Sequence, residues 1–305
     1  MGRAVVFNRY GGPEVLEIVE RSDPVPNRDQ LLVRVEAAGV QPFDAMYRAG
    51  RLQQWAPASF PQTLGNEFAG TVTALGSDDV GFAVGDEVLG WTQGDGYAQL
   101  IAVPATQCVK KPRRMSWAEA GALSASGQTA STALDALNVG AGEIVVIHAA
   151  AGGVGSMAVQ IAIAAGADVI GTASPANHDY LRSLGAMPLD YHGDLSAVLK
   201  AAAPTGADAA LIAVQGEAPV AASLAVVKRR ERIVSIVFDP AAERQGIRRI
   251  GTQRSRERLA ALVRLNDAGK LAVHVAAAMP LSHAAEAHRM IETGHVRGKL
   301  VLVRE

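Results

Sequence analysis

Apolar spacing divides the chain into two textures. Up to about residue 112, short runs rich in β-branched residues (4–7, 31–35, 68–75, 87–89 and 98–103) are separated by Gly, Pro and Asp, the pattern of strands joined by turns. This part is expected to be mostly β. From Ser116 onward, alanine-rich helical stretches alternate with short Val/Ile runs, as in a doubly wound parallel sheet. The clearest units are a strand at 144–148, a helix at 153–165, a strand at 168–172 and a helix at 177–184. Others follow at 207–214, 219–227 and 232–238, with a helix at 257–268. The tail reads as strand, helix 282–291, turn at Gly294 and final strand 299–303. Periodicity leaves open whether that tail extends the parallel sheet or returns to the first part.

Ala150, Ala151, Gly152, Gly153, Val154 and Gly155 lie between an apolar strand and an alanine-rich helix, the context of a dinucleotide fingerprint. There Gly152 lets the backbone approach a pyrophosphate, helix N-terminal amides hold its charge, and Gly155 permits close helix-on-strand packing. Ala150 stands where the first glycine is usual. The end of the next strand, Thr172, Ala173 and Ser174, lacks the acid that would bind a free ribose 2′-hydroxyl. Ser174, Asn177 and His178 offer donors instead, which points to NADPH rather than NADH. Helix capping is the competing role for Asn177.

Composition narrows the partners. At 305 residues and 49% hydrophobic content the chain suits about two domains. A net charge of −1 gives no global field for nucleic acid or an anionic membrane, so a small-molecule partner is expected. Apolar stretches break before the about 18 residues of a membrane span, and no leader precedes the first polar turn. A cytoplasmic protein is expected. The single Cys108, flanked by Gln107 and Val109, reads as a small buried residue.

Several motifs occur in one order along the chain: Tyr10 to Leu16 (YGGPEVL), Ala38 to Asp44 (AGVQPFD), Leu64 to Gly70 (LGNEFAG), Val84 to Val88 (VGDEV), Gly96 to Ala98, Gly127 to Ala130, Ser183 to Ala186 and Gly294 to Lys299 (GHVRGK). Together with the glycine turn they resemble the zinc-independent quinone oxidoreductases of the medium-chain dehydrogenase/reductase superfamily. The resemblance implies an α/β chain: a GroES-like, mostly β domain from 1–118 with 272–305 returning to it, and a Rossmann domain at 119–271. It also implies a homodimer. In zinc-dependent relatives a cysteine lies near Gln41 and a histidine replaces Asn66; one cysteine and scattered histidines cannot build such a site.

The same resemblance puts Gln41 where an asparagine commonly faces the nicotinamide, Asn66 in the neighbouring wall, and Thr129 near the cofactor. Tyr191 matches a residue that helps hold the adenosine phosphate. Val237 and Phe238, at the end of the fifth strand, should lie beside the nicotinamide. The segment from Ile212 to Gly216 departs from the family's aspartate–glycine pair. Residues 48–62, with Trp55 and Phe60, are expected to form a pocket lip.

Hydride transfer needs geometry and exclusion of water more than any one side chain. Charge developing on the acceptor oxygen calls for a donor; Tyr47 is the candidate, while Tyr97 and Asp44 read first as structural. His148 reads as a satisfied core imidazole. The expected reaction is hydride delivery to a quinone or an α,β-unsaturated carbonyl. Two alternatives remain: an enoyl or alkenal double-bond reductase, and a non-catalytic RNA-binding role for the basic stretch 228–264. That stretch has few aromatics for base stacking, so a solvated or dimer-edge surface is favoured.

Overall fold

The computed structural model describes residues 1–305. Its contacts divide the chain into two compact units, Met1–Ala125 with Ser255–Arg264 and Val273–Glu305, and Ser126–Arg254 with Leu265–Ala272. The change of texture at Ser116 marks the start of a helix rather than the change of unit, and residues 255–264 group with the first unit.

In the first unit β1 (Gly2–Phe7) and β2 (Leu16–Arg21) form an antiparallel hairpin around the motif beginning at Tyr10. β3 (Gln30–Val40) alternates buried and half-buried residues over 30–36, then is buried throughout 37–40. The change follows its partners. One edge pairs with β5 (Glu67–Leu75) and the other with β7 (Leu100–Pro104), but only over 30–34. α1 (Pro42–Arg48) follows β3 directly, with Pro42 in the first turn, where no helical amide is needed. β4 (Gln62–Thr63) pairs with β1, while β6 (Glu87–Trp91) and β8 (Cys108–Lys110) extend the sheet beyond β5.

After α2 (Trp117–Leu137) the second unit runs β9 (Ile144–Ile147), α3 (Gly153–Ala164), β10 (Asp168–Ala173), α4 (His178–Ser183), β11 (Met187–Asp190), α5 (Leu195–Ala202) and β12 (Ala209–Ile212). α6 (Glu217–Val226), β13 (Ile233–Ser235), α7 (Pro240–Arg244) and β14 (Arg248–Arg249) complete its sheet, in the all-parallel order β11-β10-β9-β12-β13-β14. Strand order reverses between β9 and β12, the switch point at which such sheets bind ligands. The strand expected over 232–238 stops at Ser235, whose hydroxyl folds onto both the amide and the carbonyl of Val237 and ends the ladder. Val237 and Phe238 thus lie beyond the strand. β11 and α5 were absent from the spacing: β11 is an edge strand interrupted by Pro188, a position edges tolerate.

α8 (Arg256–Asp267) precedes the tail. In the tail, β15 (Val275–Pro280) lies parallel to β16 (Lys299–Val303), and β16 pairs antiparallel with the buried end of β3, Ala37 to Val40. α9 (Ala284–Glu292) packs on this sheet. The tail therefore returns to the first sheet, for its final strand, apolar after Lys299, completes the edge that β7 leaves at residue 34. No helix is long and apolar enough to cross a membrane.

His148 follows β9 and is fully buried, with Nδ1 3.1 Å from Thr172 Oγ1 and Nε2 3.0 Å from Ser223 Oγ. Both nitrogens are satisfied by hydroxyls, which suit a neutral ring. Burial pushes its pKa down to about 4, from 6.5. The unfolded chain therefore binds the extra proton more tightly, and stability falls as pH drops through that interval. His148 alone should contribute a loss of about 3 kcal/mol. Urea unfolding at several pH values should show this acid slope in the parent and its removal in His148→Gln.

Candidate functional site

At the end of β9 the backbone turns sharply. Ala149 adopts the left-handed conformation at φ 53°, and Ala150 donates its amide to Thr172 O on β10 at 3.0 Å. α3 then opens at Gly152, which is extended and carries no side-chain cap. Two glycines of the turn have different reasons to be glycine. A Cβ on Gly155 would lie 2.2 Å from Ala149 O and 2.8 Å from Ala150 Cα, so helix and strand could not pack. A Cβ on Gly152 would meet only Ala149 O, at 3.3 Å, so there the backbone faces open space. The turn lies at the carboxyl end of β9, beside the reversal of strand order.

Ser174 and Asn177 sit together past the end of β10, Asn177 Nδ2 donating to Ser174 Oγ at 3.1 Å. His178 places Nε2 3.3 Å from Ala173 O. The expectation that no carboxylate stands here needs correction. The parallel register sets Asp190, the last residue of β11, opposite Ala173. Asp190 is held below the usual carboxylate range, first by the His192 amide. The rule of an acid about 20 residues beyond the glycines follows one strand, whereas the sheet brings in its neighbour. Tyr191 is exposed and its ring lies against that of His192, 4.4 Å between centroids.

Elsewhere in this unit, Thr129 Oγ1 is 2.7 Å from Thr252 Oγ1. The unusual loop after β12 is stapled to the one after β13: Gln215 Nε2 donates to Phe238 O, and the Gly216 amide to Asp239 Oδ2 at 3.1 Å. Phe238 is half exposed beneath the Arg249 guanidinium, 4.0 Å from ring centroid to Cζ.

In the first unit the candidate residues rest on two buried polar groups. Glu67 heads β5 at 0% exposure; its Oε1 accepts from Lys299 Nζ at 2.9 Å and from Gln41 Nε2, and its Oε2 from the Ala125 amide at 2.6 Å. Asp44, on the first turn of α1, accepts from the Gln41 amide (2.9 Å), Asn66 Nδ2 (2.8 Å), the Gly65 amide and Tyr97 Oη (both 3.3 Å). Desolvation pushes Asp44 up to about 6 despite these donors. Tyr97 Oη also lies 3.3 Å from His288 Nε2, and burial lowers His288 to about 3. Gln41 and Asn66 are thus fixed through Glu67 and Asp44. Tyr47 stands apart, stacked on Phe43 and donating to Pro57 O at 3.3 Å.

Residues 27–113 match the model described as alcohol dehydrogenase GroES-like domain, and residues 184–302 that described as zinc-binding dehydrogenase. The quinone-oxidoreductase QR1, chloroplastic, of Triphysaria versicolor is 30% identical, over 98% of this chain and 98% of its own. Among solved structures, the quinone oxidoreductase from Coxiella burnetii superposes with a TM-score of 0.88 at 34% identity, covering 100% of this chain and 99% of that one. The chain belongs to the quinone oxidoreductase family of the medium-chain dehydrogenase/reductase superfamily. CurK enoyl reductase is also similar, at 27% identity and a TM-score of 0.89 over 100% of this chain and 99% of that one. As a family member the chain is an oxidoreductase that works with a nicotinamide cofactor.

Within this family frame, no group of three or more His, Cys, Asp or Glu side chains is placed to hold a metal ion. Cys108 is fully buried, and burial pushes its thiol up to about 12, far from a nucleophile's range. Much of the basic stretch has internal partners. Arg232 bonds Glu143 and the carbonyls of Leu137 and Asn138, Lys228 pairs with Asp208, Arg244 with Glu217, and Arg248 with Ala136 O.

Glu67 and Lys299 were visible in the sequence only as members of motifs. Their common signature is a charge heading a strand that carries no other charge, of opposite sign in the two strands. Removing one partner of such a pair strands the other charge in the interior. Lys299→Met should therefore cost about 3–5 kcal/mol in urea unfolding, with Glu67→Gln added to it recovering much of the loss. A loss under about 1 kcal/mol would mean the pair behaves as a surface one.

Proposed function

We propose that the chain is a zinc-independent, NADPH-dependent reductase that delivers hydride to a quinone or an α,β-unsaturated carbonyl. The observation that carries this reading is the glycine turn, with Gly155 buried against Ala149 and Gly152 left open beside the amides that begin α3. A pyrophosphate fits such a cradle, because the backbone approaches closely and the helix terminus favours negative charge. Ala151, Gly152, Gly153, Val154 and Gly155 would hold it. Ser174, Asn177 and Tyr191 would face the adenosine end, with Thr129, Val237 and Phe238 as further contacts. When bound, NADPH supplies the hydride.

On the first unit, Gln41 and Asn66 are the groups we assign to orienting the reacting partners. Their amide side chains are held by Glu67 and Asp44, and amides are poor zinc ligands, which supports zinc independence. Tyr47 remains the proposed donor to the acceptor oxygen. Its ring beside Phe43 suits a flat substrate. The similarity to CurK enoyl reductase favours reduction of an activated double bond as the second reading.

NADPH fluorescence titration, followed by oxidation with a panel of quinones and enals, tests the proposal; absence of binding at tens of micromolar would overturn it. Two glycine variants separate binding from folding. Gly152→Val should keep the fold and lose about 100-fold in NADPH affinity, the loss of a few backbone–phosphate bonds. Gly155→Val should instead lower stability by several kcal/mol through overpacking, read by thermal unfolding without cofactor.

A further inference from the structure

In the first unit a buried polar chain leads away from Asp44. Tyr97 Oη donates to Asp44 Oδ2 and lies 3.3 Å from His288 Nε2, and all three side chains are at most 1% exposed. Arg48, the last residue of α1, is buried as deeply. One of its nitrogens pairs with Glu292, which stands one turn beyond His288 on the same face of α9. Its Nε and Nη1 have no partner within the protein, and neither has His288 Nδ1. The Arg48 charge acts on both His288 and Tyr97. Open polar atoms at such depth are rare and call for a reason.

The direction of each bond follows from what the groups can do. An ionised Asp44 only accepts, so Tyr97 directs its single proton there. The Tyr97 oxygen then accepts from His288, which puts the ring proton on Nε2 and leaves Nδ1 bare. A proton gained by the chain reverses every step. Nδ1 takes it up, Nε2 passes its own to Tyr97 Oη, and Tyr97 passes its own to Asp44 Oδ2. The Nε2–H bond and the old Tyr97 O–H bond break as the new ones form, and the net gain is one proton from solvent. His288 ends neutral in its other tautomer. Burial pushes Tyr97 well above its usual range and His288 down to about 3, so neither changes charge near neutrality. Asp44, pushed up to about 6 by desolvation, does. The other charges around the chain are engaged: Lys299 on β16, which acts on Asp44, pairs with Glu67 on β5, and Arg48 on α1 pairs with Glu292 on α9.

We propose that Asp44, Tyr97 and His288 form a reversible hydrogen-bond relay that positions Gln41 and Asn66. Asp44 holds the Gln41 amide and Asn66 Nδ2. As a carboxylate it grips them with charge-assisted bonds, roughly twice as strong as neutral ones. With the relay reversed, Asp44 is neutral and the grip slackens. Nδ1 accepts in one state and donates in the other, so its outer partner must be able to do both; water can, while also accepting from Arg48. The positioning role rests on the reading that Gln41 and Asn66 orient the reacting partners.

The test is nitrogen NMR of the full chain with isotope-labelled histidine, which tells the neutral tautomers of an imidazole apart, with His288→Gln assigning the signal. In the parent, His288 should stay neutral between about pH 5 and about pH 8 and pass from the Nδ1–H to the Nε2–H form as pH rises through about 6. Tyr97→Phe keeps the buried ring but breaks the chain, and should abolish the passage. Asp44→Asn, whose amide donates as the neutral acid does, should hold the Nδ1–H form at every pH. A histidine that merely packs would keep one tautomer throughout; that result in the parent overturns the relay, as does a passage that survives in a folded Tyr97→Phe. Thermal unfolding checks the fold of each variant. The positioning role is read separately, from kcat with NADPH and a quinone. It should fall about tenfold in the parent from about pH 8 to about pH 5, the step from a charge-assisted to a neutral hydrogen bond, while Asp44→Asn is low and flat. An equal pH dependence in parent and Asp44→Asn would overturn the positioning role. Absence of any NADPH oxidation, with the tautomer passage intact, would instead overturn the proposed function.

Discussion

The first unit depends on the buried pair of Glu67 and Lys299. An ion pair withdrawn from water recovers its desolvation cost only if its remaining hydrogen-bonding capacity is met. Here the Glu67 carboxylate collects Lys299, the Gln41 side chain and the Ala125 amide, groups from three other segments of the chain. That requirement fixes where β16 must lie, because Lys299 is its first residue and reaches Glu67 only if the strand runs beside the end of β3. It also explains the small residues nearby. A Cβ on Gly39 would fall 2.1 Å from Glu67 Oε1 and 2.9 Å from Gly121 O. The carboxylate occupies the space that a side chain at 39 would need.

Asp44 extends the same constraint. Gln41 is held at its side chain by Glu67 and at its amide by Asp44, so the junction of β3 and α1 is set from two directions. Asp44 in turn fixes Asn66, the residue before Glu67. Gln41 and Asn66 are therefore both amides locked into one buried carboxylate network. In the second unit the organising device is close backbone approach instead of charge. Gly155 lies against Ala149, and a Cβ on Gly171 would stand 2.8 Å from that of Ala150, so the turn, α3 and β10 meet without side chains between them. His148, bonded on both nitrogens, secures the turn from beneath.

Elements that announce themselves by periodicity were legible in the sequence: β9, α3, β10 and the final strand each fall within a residue or so of their expected ends. What periodicity missed has physical causes. β11 carries a proline and lies half-buried at a sheet edge, so it shows no apolar run. β13 is shortened by a serine that bonds its own backbone, a local competition invisible to hydrophobic spacing. The return of the tail could not be read from its own residues, because it is decided by a vacancy along β3 and by a carboxylate more than two hundred positions away.

Asp190, opposite the end of β10, shows the same limit in its sharpest form. A motif rule that counts residues forward from the glycines samples a single strand, and on that strand the acid is missing. A parallel sheet, however, aligns the carboxyl ends of neighbouring strands at a spacing of about 5 Å, so a side chain one strand over is as close as one on the expected strand. Asp190 comes into place through register, which pairs Ile170 to Ala173 with Met187 to Asp190. The charge at this end of the sheet is consequently a property of the strand pair. A sequence reading that places the charges of both strands on one rung sees a carboxylate flanked by two imidazoles where a reading of β10 alone sees only small neutral residues.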